Sequence, residues 1–168
     1  MKGRVLILFL ILTLIAQSLI SCESAKEFTY CEMVLTLDKS FEEEEDESFD
    51  FIVSNGEVAV SVVRISLDAA LDMGISNTYT PKGFAAFFMH KSGKSDELLM
   101  RGTIPYYTYT QEGEGREIFY TVTFYRSMHA YFAVAYATDV ENKEEAAERF
   151  LEYADAVYFT DAPDIKTE

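Results

Sequence analysis

The chain has 168 residues, 14 basic against 29 acidic side chains, a formal net charge of −15 and 49% hydrophobic residues. That length suits one domain able to bury a core. So acidic a balance argues against nucleic acid and against adhesion to anionic lipid through protein charge, because both need a basic surface.

At the amino terminus, Lys2 and Arg4 precede an uncharged, mostly apolar run from Val5 to Ile20, the layout of an export signal. The run has 16 residues and is diluted by Gln17 and Ser18, whereas a membrane-spanning helix wants about 20 apolar residues. Its end, Leu19-Ile20-Ser21-Cys22, resembles the bacterial lipobox, in which a small residue precedes a cysteine that receives a diacylglyceryl group before the signal is removed. The resemblance implies a signal peptide over residues 1–21 and a lipidated Cys22 that opens a short tether over 22–27. Ordinary cleavage after Ser18 and an uncleaved anchor are the competing layouts. Removing residues 1–21 takes away two basic and no acidic side chains, so the remaining 147 residues carry −17.

Only Cys22 and Cys31 are present. A lipid on Cys22 leaves no second thiol for a disulfide with Cys31; without the lipid, a Cys22–Cys31 bridge is available. Cys31 lies within Phe28 to Leu37, which is rich in β-branched and aromatic residues and reads as a first strand. A buried strand cysteine is expected there. Glu42 to Glu47 is an unbroken run of carboxylates, expected as a solvated loop because like charges repel. It lacks the alternate ligands and glycine turn of a calcium loop.

Asp50–Ser54, Asn55-Gly56 and Glu57–Ile65 form the clearest hairpin signal, Asn-Gly accepting the positive φ angles of a tight turn. One helical turn over Asp68–Leu71 should end at Gly74. Thr80-Pro81 starts a helix with an N-cap and a first-turn proline; it carries Phe84, Phe87, Phe88 and Lys91 and stops near Gly93. Leu98–Met100 and Tyr106–Gln111 read as strands, with Pro105 at a strand start.

Ile118 to Tyr125 alternates cleanly, with Ile118, Tyr120, Val122 and Phe124 on one face and Phe119, Thr121, Thr123 and Tyr125 on the other. Tyr131 to Thr138 sets small residues (Ala133, Ala135, Ala137) against large ones (Phe132, Val134, Tyr136), and its small face is expected to seat the closing helix. In that helix Asn142 and Glu145 resemble a capping box, Ala146, Phe150, Ala154 and Val157 form an apolar stripe, and Glu145 and Arg149 form an outward i,i+4 pair. Tyr158 and Phe159 finish the packing, and 161–168 is a polar tail.

This order makes an α+β domain over residues 28–160, with a mainly antiparallel sheet of about six or seven strands and a middle and a C-terminal helix packed on it. The order resembles the PsbP-like and DcrB-like fold, which includes the extrinsic photosystem protein and many bacterial lipoproteins. Its closing helix there is of the type Glu144-Glu145-Ala146-Ala147-Glu148-Arg149-Phe150-Leu151. No catalytic residues define that family, so the resemblance implies none.

Motifs for chemistry are missing or broken. Ser92-Gly93-Lys94-Ser95 has the end of a phosphate loop, but Phe88 stands where the first glycine is required. His90 and His129 are the only histidines and sit in separate segments. Ser127 near His129 lacks a nucleophile elbow and reads as a turn serine. No enzyme activity, cofactor or metal is expected.

What remains is aromatic richness, 13 Phe and 11 Tyr with no Trp. Tyr107, Tyr109, Tyr120, Tyr125 and Tyr136 crowd the meander and form the candidate binding face, since tyrosine suits half-wet interfaces. The expected role is non-catalytic binding or assembly with an envelope protein partner, by a protein attached to the membrane through its lipid. A carrier of a small apolar ligand, held in a cavity between sheet and helix, is the alternative. Glu23 after the cysteine favours the outer membrane or cell surface, because aspartate there tends to retain lipoproteins at the inner membrane.

Overall fold

The computed structural model describes residues 25–46, 49–93, 97–113 and 115–161. Among these the chain order is β1 (Ala25–Tyr30), β2 (Met33–Asp38), β3 (Glu42–Glu44), β4 (Phe51–Ser54), β5 (Val58–Ser66), α1 (Leu67–Asp72) and α2 (Pro81–Lys91), followed by β6 (Leu99–Arg101), β7 (Ile104–Gly113), β8 (Arg116–Arg126), β9 (Ala130–Asp139), α3 (Lys143–Asp155) and β10 (Tyr158–Phe159). The signal peptide, Leu19, Ile20, Ser21 and Cys22 of the lipobox, and most of the polar tail lie outside the described residues.

The alternation read in β8 organises the molecule. A seven-stranded antiparallel sheet runs β3-β4-β5-β9-β8-β7-β6, and β1-β2-β10 form a second sheet of three strands. The register sets Tyr120 beside Ala137 and Phe124 beside Ala133, and likewise Phe119 beside Thr138 and Tyr125 beside Phe132. Phe119, Tyr125, Phe132, Val134 and Tyr136 therefore share one face, where they pack with Phe150 and Ala154 of α3 and with Met33, Leu35 and Leu37 of β2. The opposite face carries Val122, Phe124, Tyr131 and Ala133, packed with Phe84, Ala85 and Met89 of α2 and Ala70 of α1. Each fully buried Phe or Leu contributes about 2–3 kcal/mol of transfer free energy, so these two clusters hold the layers together.

The expected α+β architecture is the observed one: antiparallel sheet, middle helix and C-terminal helix. Thr80 caps α2 through its hydroxyl, which accepts from Gly83 N at 3.2 Å. The Asn55-Gly56 hairpin forms between β4 and β5. Only Gly56 takes a positive φ, of 87°; the Asn55 side chain closes the turn by accepting from the amides of Glu57 and Val58.

Several local expectations are overturned. Phe28 to Leu37 is two antiparallel strands, because the chain reverses at Cys31-Glu32. Cys31 holds φ 52° there and is half-buried, so it is a turn residue and not a buried strand cysteine. β1 also begins at Ala25 and takes in Lys26 and Glu27 of the expected tether. Within the acidic run, Glu42–Glu44 is a fully exposed edge strand paired with β4; alternate side chains on an edge can all reach water, which relieves their repulsion without a loop. Asn142 ends a 3₁₀ turn over Val140–Asn142 and makes no side-chain cap. Arg149 reaches across to Asp38 of β2. Phe159 finishes the packing as expected, against the core, but it does so in a strand added to β2 with Tyr158, which stays exposed.

The closing helix also lies on the other face of the sheet from the one expected. α3 covers the large residues of β9, where Tyr136 stacks on Phe150 with ring centroids 5.6 Å apart. The alanine face is covered only in part, by α1 and α2, and this leaves one end of it open.

Candidate functional site

The open end lies where β4 turns into β5. In register across the strands there, Ala59 faces Ala137, Ala137 faces Tyr120 and Tyr120 faces Tyr109. These four side chains are half-buried. They share the face that α2 covers further along, but α2 packs against Phe124 and Tyr107, which lie towards the other end of β8 and β7. The alanines keep the floor low, and the two tyrosines stack at 4.7 Å with an interplanar angle of 7°. Ile118, Ser54, Glu44, Glu57, Arg116 and Asp139 rise around Ala59, Ala137 and Tyr120 to make a groove of about 280 Å³, and Tyr109 backs Tyr120 from outside it, packed against the α2 cluster.

The rim is mainly anionic. Glu44 accepts a hydrogen bond from the Ser54 hydroxyl. Arg116 is the one basic residue in the groove lining and lies 3.5 Å from Asp139. Three carboxylates against one guanidinium leave the groove with negative charge around an apolar and aromatic floor. That combination recognises shape and positive charge.

The five tyrosines expected on a single face divide between two. Tyr109 and Tyr120 stand half-exposed at the open end. Tyr107 shares their face but is buried beneath α2. Tyr125 and Tyr136 point to the opposite face and are buried beneath α3 and the small sheet. The Tyr125 hydroxyl donates to Ala154 O at 3.0 Å, and burial pushes its pKa up. Burial raises Tyr136 well above the usual tyrosine value. Its hydroxyl has no hydrogen bond of good geometry, although the Tyr125 and Thr123 hydroxyls are its polar neighbours. Both phenols stay neutral, so they act as core groups.

The Ser127 and His129 pair resolves as a turn. The Ser127 hydroxyl donates to Glu32 Oε1 at 2.7 Å and accepts from the His129 and Ala130 amides at 3.0 Å each. The buried Glu32 also meets Arg64 at 3.2 Å. The Ser127 hydroxyl thus ties its turn to Glu32. Among the described residues no group of three or more His, Cys, Asp or Glu side chains is placed to hold a metal, and no helix is long and apolar enough to cross a membrane.

Sequence reasoning did not bring the alanines and the acidic rim together. Ala137 signals close packing in the sequence, and it is the path of α2, packed with Phe124, Tyr107 and Ala133, that leaves it and Ala59 half-exposed. Glu44, Glu57 and Asp139 come from three separate segments, so no spacing in the sequence joins them.

No family model matches the chain, and no curated protein matches it. Solved structures share its fold. A crystal structure from Bacteroides thetaiotaomicron VPI-5482 is similar with a TM-score of 0.57 and 14% identity, covering 82% of this chain and 49% of that one. This chain thus spans about half the length of that protein. The solution structure of the cyanobacterial PsbP protein CyanoP from Synechocystis sp. PCC 6803 is similar with a TM-score of 0.48 and 10% identity, covering 82% of this chain and 93% of that one. At 14% identity the first likeness is one of fold alone, and the second, with its lower score, adds no weight to a family assignment.

Proposed function

We propose that this protein is an exported lipoprotein with a PsbP-like domain, anchored through Cys22, and that it binds a protein partner in the cell envelope without catalysing a reaction. The observation that carries the binding role is the open end of the sheet, where the stacked Tyr109 and Tyr120 and the alanine floor stay half-exposed while Tyr107, Tyr125 and Tyr136 are buried. Half-exposed tyrosines supply large contact area at low ordering cost, which is how protein interfaces use them.

The carrier alternative has less support. The space between sheet and closing helix bounded by Val58, Thr138, Ala146 and Phe150 measures about 80 Å³, whereas ligand sites run to about 300–1,000 Å³.

Two experiments test the proposal. Cys22→Ala should release the protein from membranes, and a mutant that stays attached after its leader is removed would overturn the anchor. Crosslinking from a photoreactive residue at Tyr120 should trap an envelope protein, and Ala137→Arg, which fills the floor, should abolish the adduct. An adduct unaffected by Ala137→Arg would overturn the binding face.

A further inference from the structure

We infer that the groove at the open end of the sheet takes an extended, lysine- or arginine-bearing segment of a partner protein, laid beside the β3 edge. The inference rests on the binding role proposed above and names the partner's chemistry.

Three independent features lead to it. The first is an open edge: β3 ends the seven-stranded sheet with β4 as its only strand neighbour among the described residues. In an edge strand, every second residue turns its backbone amide and carbonyl outward, and these groups accept an added extended chain. The second is the floor. Ala59 and Ala137 let an incoming side chain lie close to the sheet, and Tyr120 offers the rim of an aromatic stack on which a guanidinium or ammonium stem can rest. The third is the charge. Glu44 and Glu57 flank that floor in the groove, and Glu42 and Glu43 continue the negative row along the edge.

The charge decides between occupants. A second copy of this chain pairing edge to edge would set Glu42–Glu44 against the same glutamates, which like-charge repulsion opposes. A membrane surface rich in anionic lipid and a nucleic acid are repelled in the same way. A cationic extended segment satisfies these features along its length: residues paired with the β3 edge set basic side chains against Glu42–Glu44, and, because β3 and β4 stand between that edge and Ala59, a later residue, after the segment crosses over those two strands, lays its basic side chain on the alanine floor beside Glu57.

The test uses the full-length chain in neutral detergent with two synthetic hexapeptides, one alternating lysine with valine and one alternating glutamate with valine. A general attraction of cations to a chain of charge −15 must be separated from binding in the groove. Glu44→Lys with Glu57→Lys is therefore compared with Glu144→Lys and Glu152→Lys on the exposed side of α3, which changes the net charge equally. The lysine peptide should bind, the glutamate peptide should not, and the groove pair should weaken binding about tenfold or more while the α3 pair changes it less than about twofold. Ala137→Arg should weaken it to a similar extent by filling the floor. Equal loss from both charge pairs, or binding untouched by Ala137→Arg, would overturn the inference. A crosslinked partner that contacts Tyr120 through an acidic or uncharged segment would overturn it too, while leaving the proposed binding role in place.

Discussion

The carboxylate of Glu32 accepts the Ser127 hydroxyl at 2.7 Å across 95 residues of sequence, and so fastens the β1–β2 turn of the small sheet to the β8–β9 turn of the large one. Glu32 is 2% exposed and shares its charge with Arg64 at 3.2 Å. Removing Arg64 leaves a buried carboxylate with only hydroxyl support. Arg64→Ala should cost about 3 kcal/mol in urea unfolding, and Glu32→Gln with Arg64→Met should recover most of it, since replacing both charges removes the uncompensated one. A double variant no more stable than Arg64→Ala would show that the pair is not the source of the loss.

The turn before Glu32 carries strain that a single substitution can relieve. Cys31 is the one described non-glycine residue with positive φ, at 52°, and that conformation costs an L-residue with a side chain about 1–2 kcal/mol. Glycine adopts it without a Cβ conflict but loses about 0.5–1 kcal/mol of chain entropy. Cys31→Gly should therefore raise stability by about 1 kcal/mol, and Cys31→Val, β-branched at the same φ, should lower it. The two thermal midpoints should move in opposite directions from that of the parent, and movement in the same direction would count against strain at this turn.

That turn also shows where the sequence stopped being informative. Reversals announce themselves through Gly, Asn or Asp, and the β4–β5 hairpin was legible because Asn55-Gly56 carries both signals. At Cys31-Glu32 neither residue is a turn former; long-range contacts of Glu32 with Arg64 and Ser127 hold the reversal, and these cannot be read from neighbours in the chain. The β6–β7 hairpin was missed for a different reason: Gly102, with φ 57° between Arg101 and Ile104, is a turn signal overshadowed by Pro105. The two faces of β8 were legible from alternation alone. Which helix covers which face was not, because alanine at 133, 135 and 137 fits a close helix and an open floor equally well, and only the path of α2 distinguishes them.

Tyr131 pins the loop between α1 and α2. Its hydroxyl lies 2.9 Å from Ser76 O and 3.0 Å from Tyr79 O, and its ring stacks on Phe84 at 4.8 Å. One O–H serves both carbonyls, so Tyr131→Phe removes a shared hydrogen bond and keeps the ring packing. The expected loss is about 1–2 kcal/mol. Hydrogen exchange should quicken between residues 75 and 80 more than in β8, and uniform quickening across the sheet would mean that the ring rather than the hydroxyl was disturbed.

Alkaline pH should unfold the protein through its buried phenols. Burial is the main cause that raises Tyr125, Tyr136 and Tyr153 above the usual value of 10.0, and it takes Tyr30 to about 12 with help from the charge of Asp50. In each case the folded value exceeds the unfolded one, so the stabilisation is complete below pH 10 and is lost as pH rises towards the folded values. Between these limits the unfolded chain sheds protons that the native state keeps, and stability falls with pH. Among the four, Tyr136 gives the sharpest test, because its buried hydroxyl lacks a hydrogen bond of good geometry. Tyr136→Phe should change stability at neutral pH by less than about 1 kcal/mol and should flatten the decline above pH 10. Urea midpoints read across that range, alongside phenolate absorbance, measure both effects. A variant that declines as steeply as the parent would show that Tyr136 does not hold back its proton through burial.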